Sequence, residues 1–195
     1  MKKTVLFLLI AMVGVSSFSQ SRTSFGLRSG VNVSNLSNTD LESKTSFYLG
    51  ALVHIKISEI YVLQPELGYS KQGGQTKFAT EEDVDIHYLT ISVANKFFIK
   101  NTGFHFIIAP GFDFDMDDSL INLVNESEGN DVTFIDINMG LGIGKEFKNG
   151  LGIEVRYKQG LVDVFSGNWH RFESQQYEDE NQFNTVFQIG IFYKF

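Results

Sequence analysis

Four acidic residues lie close together in the chain and could bind a divalent cation. Asp113 and Asp115 alternate along a predicted strand, and Asp117 and Asp118 follow at once. Alternate positions of a strand share one side, so three carboxylates fall together, and carboxylates are the ligands that Ca²⁺ takes in proteins. No glycine-centred ligand loop accompanies them. We therefore interpret the run as a solvated outer rim, as we do the acidic stretch 178–180, and predict no metal site.

Other motifs that could carry chemistry fail on spacing. Three alternating glycines precede Lys145, but their spacing differs from that of a phosphate-binding loop, and Glu146 stands where Ser or Thr is required. The GxSxG motif of a hydrolase is absent. No two histidines have the spacing of metal ligands; they are His54, His87, His105 and His170. A Ser–His pair could still assemble across strands, but we expect no enzyme activity and no cofactor.

A third set of charged residues occupies alternate positions of predicted strands, on the face that also carries glycine. Its members are Arg28, Glu66, Lys96, Asp113, Asp136, Glu154 and Arg156. If this face lines a narrow interior, the near balance of charge is what burial requires, because an unpaired buried ion costs several kcal/mol. The sequence therefore predicts a salt-bridged plug. The alternative is a polar path for small solutes, although eight strands leave an interior just wide enough for side chains.

The elements that would position these charges are eight segments in which apolar and polar residues alternate. Their approximate ranges are 24–35, 45–57, 60–71, 85–99, 103–115, 132–146, 151–159 and 183–195. In each segment one parity is apolar and is expected to carry no Asp, Glu, Lys or Arg, as from Phe47 to Ile57. No helical period competes with this pattern. We predict an all-β fold, an eight-stranded antiparallel up-and-down transmembrane β-barrel.

Alternation alone does not say which face points inward, because a soluble ligand-binding barrel places its apolar residues inside. Three features favour a membrane barrel. The predicted turns at 58–59, 100–103 and 148–150 are short, whereas connections 36–44, 72–84, 116–131 and 160–182 are long and polar. Glycine and charge share one face, as in a filled lumen. Aromatic residues lie near the strand ends, where membrane girdles form, for example Tyr61, Phe97 and Tyr193. The long loops are expected to face outward.

Two prolines fall inside predicted strands. Pro65 and Pro110 lack the N–H that a strand donates, and a closed barrel has no free edge to accommodate them. We expect local β-bulges at both positions.

The ends and the composition indicate the compartment. Lys2 and Lys3 precede an apolar run that ends at Val15, and small residues at Ser17 and Ser19 suit cleavage before Gln20. We expect residues 1–19 to be a secretory signal peptide and residues 20–195 to be one barrel domain. No later stretch could cross a bilayer as a helix. The chain has no cysteine, and its net charge of −7 argues against a nucleic-acid partner. The expected location is the bacterial outer membrane.

Four motifs resemble the PorT-like family of outer-membrane β-barrel proteins. They are FGLRSGVN at 25–32, LQPELGYS at 63–70, GLGIG at 140–144 and EVRYKQGL at 154–161, and the likeness extends to Phe195. The resemblance implies an outer-membrane barrel, and some relatives serve protein secretion and gliding. The final pattern of Ile189, Ile191, Tyr193 and Phe195 resembles the signal by which the barrel-assembly machinery recognises its clients.

The predicted function is that of a non-enzymatic integral barrel with a structural, partner-binding or secretion-associated role. Its expected contacts are outer-membrane lipid, the barrel-assembly machinery and a protein partner at the outer loops. Two alternatives stay open on the sequence alone. One is a secreted soluble barrel that binds an apolar ligand, and the other is a small-solute pore.

Overall fold

A computed structural model describes residues 22–77, 83–116, 132–165 and 181–195. The predicted signal peptide, residues 1–19, lies outside these ranges. So do Asp117, Asp118, His170 and the acidic stretch 178–180.

The described residues form eight strands that close into one antiparallel barrel, as predicted. Each strand pairs with the next along the chain, and β1 pairs with β8 to complete the wall. The strands are β1 Thr23–Leu36, β2 Glu42–Lys56, β3 Tyr61–Gln75, β4 Val84–Phe98, β5 Phe104–Asp115, β6 Ile135–Glu146, β7 Leu151–Gly160 and β8 Asn184–Lys194. No helix in the described ranges is long and apolar enough to span a membrane.

The apolar parity of every strand points outward and the polar parity points into the lumen. Leu67 and Ile189 on the outer face are 53% and 55% exposed, whereas Gln64 and Lys96 on the inner face are both 0% exposed. A soluble barrel that binds an apolar ligand would have the opposite arrangement. This exposed apolar belt fits a lipid environment, so the soluble alternative is wrong.

Several strands are longer than the membrane requires, which shortens the outer loops. The 15 residues of β2, β3 or β4 cover about 38 Å at a rise of ~3.3 Å and a tilt of ~40°, against an apolar band of about 25 Å. The first connection, predicted as 36–44, is therefore only 37–41, and Asn38 has a φ of 53° in this tight turn. The other three long connections join strand ends at 75 and 84, 115 and 135, and 160 and 184.

The outer face is free of charge only in its middle. Lys71 and Asp85 lie on it near the long-loop end, where their side chains form an ion pair of 2.9 Å. Lys145 lies on it near the short-turn end, beside Ile143. The expectation of a wholly uncharged apolar parity is thus wrong at the strand ends, where charged groups can reach the polar interface of the bilayer.

Neither proline produces the predicted bulge. The register of β3 with β4 continues through Pro65 opposite Val93, and that of β5 with β6 continues through Pro110 opposite Met139. The shift in register lies elsewhere, between Ser43 and Tyr48 where β2 meets β3. A missing N–H removes one ladder bond but changes neither the pleat nor the spacing of the strand, so both prolines keep their apolar neighbours in phase.

Candidate functional site

The centre of the lumen is an ion-paired network built around Arg156 of β7. Its guanidinium donates to both carboxylate oxygens of Glu66 at 2.7 and 2.8 Å, and to Oε2 of Glu154 at 2.6 and 3.0 Å. Glu66 lies on β3, which faces β7 across the lumen of the eight-stranded barrel. Arg156 therefore ties opposite sides of the barrel together through a bidentate pair, the stronger form of an arginine–carboxylate interaction.

Two further cations complete this network. Lys96 Nζ lies 2.6 Å from Glu154 Oε1, and Arg28 pairs with Glu66. Each cation also lies over an aromatic ring: Lys96 is 4.1 Å from the ring centroid of Phe192, and Arg28 is 4.7 Å from that of Tyr48. Cation–π contacts of this kind gain strength when water is excluded.

The remaining two predicted charges do not join the network. Asp113 pairs with Lys158, and it also accepts a hydrogen bond of 3.2 Å from Gln72. Asp136 makes no ion pair with a described residue and instead accepts the backbone N–H groups of Leu161 and Val162, each at 3.2 Å. The structure thus brings five of the seven predicted residues into one cluster: Arg28, Glu66, Lys96, Glu154 and Arg156.

Lys158 is a lumen cation that was not among the seven predicted charges, which on β7 ended at Arg156. Lys158 has the same parity as Glu154 and Arg156, so the pattern itself could have identified it. The interpretation of the acidic run as a solvated outer rim is wrong for Asp113 and Asp115. They are 1% and 0% exposed inside the barrel, so these two carboxylates do not belong to a solvated outer rim.

Hydrogen-bonded amides continue the packing toward the long-loop end. Asn184 donates to Gln72 at 2.5 Å, Gln72 donates to Ser70 at 2.9 Å, and Gln188 donates to Asn32 at 2.9 Å. Asn32 donates to Ser70 at 2.9 Å, which connects the hydrogen bonds of Asn184 and Gln72 with that of Gln188. The amides lie on β1, β3 and β8, between the ionic network and the long-loop end.

An apolar cluster lies at the long-loop mouth of the barrel. Its buried members are Leu36, Ile86, Tyr88, Val132 and Val164. The backbone beside it is tied together: Thr133 N–H donates to Val164 O, and Val164 N–H donates to Gln182 O, both at 2.8 Å. At the opposite mouth, Lys194 pairs with Glu146 at 2.6 Å and lies 3.2 Å from His54 Nε2.

Glycines on the lumen face give these large side chains their room. A Cβ added at Gly152 would overlap the ring of Phe192, and a Cβ added at Gly190 would overlap the hydroxyl of Tyr48. The glycine-rich inner parity therefore has a steric reason in a narrow barrel.

The space left among these side chains is small. A cavity of about 40 Å³ lies beside Arg28, Glu66, Asp113, Arg156 and Lys158. This is room for a few water molecules.

The described residues do not assemble a metal site or a serine–histidine pair. No group of three or more potential metal ligands occurs within the described ranges. Each of the three described histidines has other partners: His54 contacts Gln64 and Lys194, His87 contacts Tyr69, and His105 contacts Glu154 and the carbonyl of Gly103.

Comparisons with known proteins agree with this geometry. Residues 18–166 match the family model described as an outer membrane protein beta-barrel domain. The chain belongs to this family, and its location is the outer membrane. No curated protein matches the chain significantly in sequence.

Solved structures of small outer-membrane barrels share the fold. Neisserial surface protein A aligns over 90% of this chain and 100% of its own, with a TM-score of 0.56 and 12% identity. Ail, the attachment invasion locus protein of Yersinia pestis, aligns over 90% of this chain and 100% of its own, with a TM-score of 0.52 and 11% identity. Another structure of Ail is a complex with the heparin analogue sucrose octasulfate. At these identities the likeness concerns the fold alone.

Proposed function

We propose that the chain is a non-enzymatic outer-membrane protein with a plugged lumen, whose role is structural or depends on partners bound outside the membrane. The observation that carries the proposal is the bridge from Glu66 through Arg156 to Glu154 across the barrel. A conducting path would have to break these buried pairs, and separating a buried ion from its partner is strongly unfavourable.

Two further observations support a closed lumen. The cavity beside Arg156 holds about 40 Å³, far less than a continuous water-filled channel would need. The apolar cluster around Ile86 and Tyr88 also lies across the path to the long-loop mouth. A small-solute pore is therefore the less favoured function.

Single-channel recording tests the closed lumen directly. Purified protein is refolded, its β-sheet content is verified by circular dichroism, and it is inserted into a planar bilayer with an open porin as the positive control. We expect no steady ionic current from this chain under conditions in which the porin conducts. Reproducible steps of constant conductance would contradict the plug and favour the pore.

We also propose that the chain is PorT-like and has a secretion-associated role. Three of the four motifs that carry the resemblance supply four of the five residues of the ionic network: residues 25–32 contain Arg28, residues 63–70 contain Glu66, and residues 154–161 contain Glu154 and Arg156. Export by the signal peptide at residues 1–19 and insertion by the barrel-assembly machinery through the strand ending at Phe195 belong to the same proposal. Deleting the gene in the source bacterium and quantifying proteins exported to the medium tests the secretion role; unchanged export would contradict it.

The outer connections favour a cationic partner. The four predicted long connections contain 15 acidic and three basic residues. Charge of one sign attracts ligands of the opposite sign and repels others. A sulfated ligand such as the sucrose octasulfate in the Ail complex is therefore a poor fit to this chain, and a basic protein surface is a better one.

A further inference from the structure

A groove on the lipid-facing surface runs from the short-turn end of the barrel into the apolar belt. It is an open depression of about 600 Å³, and its lining includes Phe104, Lys145, Ile153, Ile191 and Ser29. The strand register makes these five residues direct neighbours in that order across β5, β6, β7, β8 and β1. They therefore form one continuous row around five strands.

The row climbs in depth as it crosses the strands. Phe104 is the first residue of β5, and Lys145 is the last but one of β6, so both lie beside the short turns. Ile153 and Ile191 lie slightly deeper, and Ser29 is well inside β1. Short turns of such barrels face the periplasm. The groove thus begins at the periplasmic interface of the membrane and ends within the hydrocarbon region.

Lys145 distinguishes this groove from the rest of the apolar face. Its ammonium lies 4.5 Å from the ring centroid of Phe104 and 5.7 Å from that of Phe147. It forms no ion pair with a carboxylate in the described ranges, whereas the outward-facing Lys71 at the opposite end is paired with Asp85. The cation at the lower end of the groove is therefore available to an anionic group from the bilayer.

The surrounding rim strengthens this preference for anions. Besides Lys145, the described residues at the short-turn end include five basic and two acidic side chains: Arg22, Lys56, Lys100, Lys148 and Lys194, with Glu59 and Glu146. Lys194 is paired with Glu146, and Lys100 lies 3.8 Å from Glu59. The rim is basic although the whole chain carries a net charge of −7.

We propose that this groove binds one anionic phospholipid of the periplasmic leaflet. The headgroup phosphate contacts Lys145, and one acyl chain follows the row from Ile153 toward Ser29. The row starts at the interface and rises into the bilayer, which is the course of an acyl chain below its headgroup. Basic side chains near the surface add affinity for anionic lipids, and the apolar lining accepts the chain.

Native mass spectrometry of the full-length mature protein in detergent micelles tests the proposal. The probes are phosphatidylglycerol, which is anionic, and phosphatidylethanolamine, which is not, both with the same acyl chains. We expect the wild type to retain one phosphatidylglycerol about fivefold better than one phosphatidylethanolamine, the effect of one basic side chain near a charged surface. Lys145→Gln should abolish this preference.

Two further variants separate the headgroup contact from the groove. Lys148→Gln removes one rim lysine outside the groove lining and should weaken the preference far less than Lys145→Gln does. Ser29→Leu fills the deep end of the groove and should reduce retention of both lipids equally. Equal retention of the two lipids by the wild type, or an unchanged preference in Lys145→Gln, would overturn the proposal. A lipid-free dimer would also overturn it, because a second copy would then occupy the groove.

Discussion

Two groups of ion pairs in this barrel share their chemistry but differ in their surroundings. In the lumen, Glu66 and Glu154 are shared among Arg28, Lys96 and Arg156 with almost no exposure to solvent. At the outer ends of β2, β3 and β4, Lys44 lies 2.5 Å from Asp85 and 3.1 Å from Asp83, and Lys71 lies 2.9 Å from Asp85. Asp85 is 37% exposed in its side chain, so water competes for this second group.

The comparison shows why similar distances carry different weights. Exposed pairs are screened by water and salt, so each contributes little to stability. Buried pairs need each other, because the loss of one partner leaves the other without solvent. The ion pairs of the lumen network thus add little net stability. Removing one partner of such a pair nevertheless destabilises the fold strongly, and this distinguishes the buried group from the exposed one.

The largest effect is expected from Glu154→Gln. Three cations share two carboxylates in the network, so this nearly isosteric change leaves Lys96, which is 0% exposed, without a counter-ion. Removal of one partner of a buried pair costs about 3–5 kcal/mol. The free energy of unfolding, measured by urea titration of the protein refolded in lipid vesicles, should fall by that amount.

A double variant shows whether the orphaned cation is the cause. Glu154→Gln combined with Lys96→Met removes both members of the pair and should restore most of the lost stability. If the two losses simply add, Lys96 and Glu154 are not energetically coupled, and the buried group would resemble the exposed one.

A second prediction concerns a charge introduced on the lipid-facing surface, where it has neither an ion-pair partner nor water. Val93 lies on the outer face of β4 near the middle of the membrane, five residues from the short-turn end of the strand. An arginine at mid-depth costs about 2–4 kcal/mol, and this cost falls to about 0–1 kcal/mol near the interface. Val93→Arg should therefore destabilise the barrel strongly in the same urea assay.

Ile137→Arg provides the matched control for depth. Ile137 is equally apolar and 46% exposed, but it lies two residues from the outer end of β6. Its substitution should have a much smaller effect than Val93→Arg. Equal costs at the two positions would contradict the depth assigned to these strands.

The sequence predicts the wall of this barrel better than its contents. Period-two alternation specifies which side chains face inward, and the structure places all seven predicted charges on the lumen side. It does not specify which lumen side chains lie at the same height and can therefore meet, because that depends on the stagger of the strands. Hence the pairing of Glu66 with Arg156 was not predictable, nor was the separate pairing of Asp113 with Lys158. The prediction of β-bulges at the two prolines was wrong because the loss of one ladder bond does not require a change of register.

The smallest effect is expected at the exposed outer group. Lys71→Met removes the pair with Asp85, and Lys44 still accompanies that carboxylate. The free energy of unfolding should change by less than about 1 kcal/mol and by even less at high salt. A loss as large as that of Glu154→Gln would show that burial does not separate the two groups.

Acidification gives a second view of the same outer group. A hydrogen bond from the Thr76 backbone N–H, together with the Lys44 side chain, lowers the pKa of Asp83 below its ordinary value. A carboxylate with a lowered pKa in the folded state stabilises that state above the unfolded pKa, and this contribution disappears as the pH falls through the folded pKa. The carboxyl carbon resonance of Asp83 should therefore titrate at lower pH than that of an aspartate in an unfolded peptide. An ordinary midpoint would mean that the link to Thr76 and Lys44 is not kept in solution.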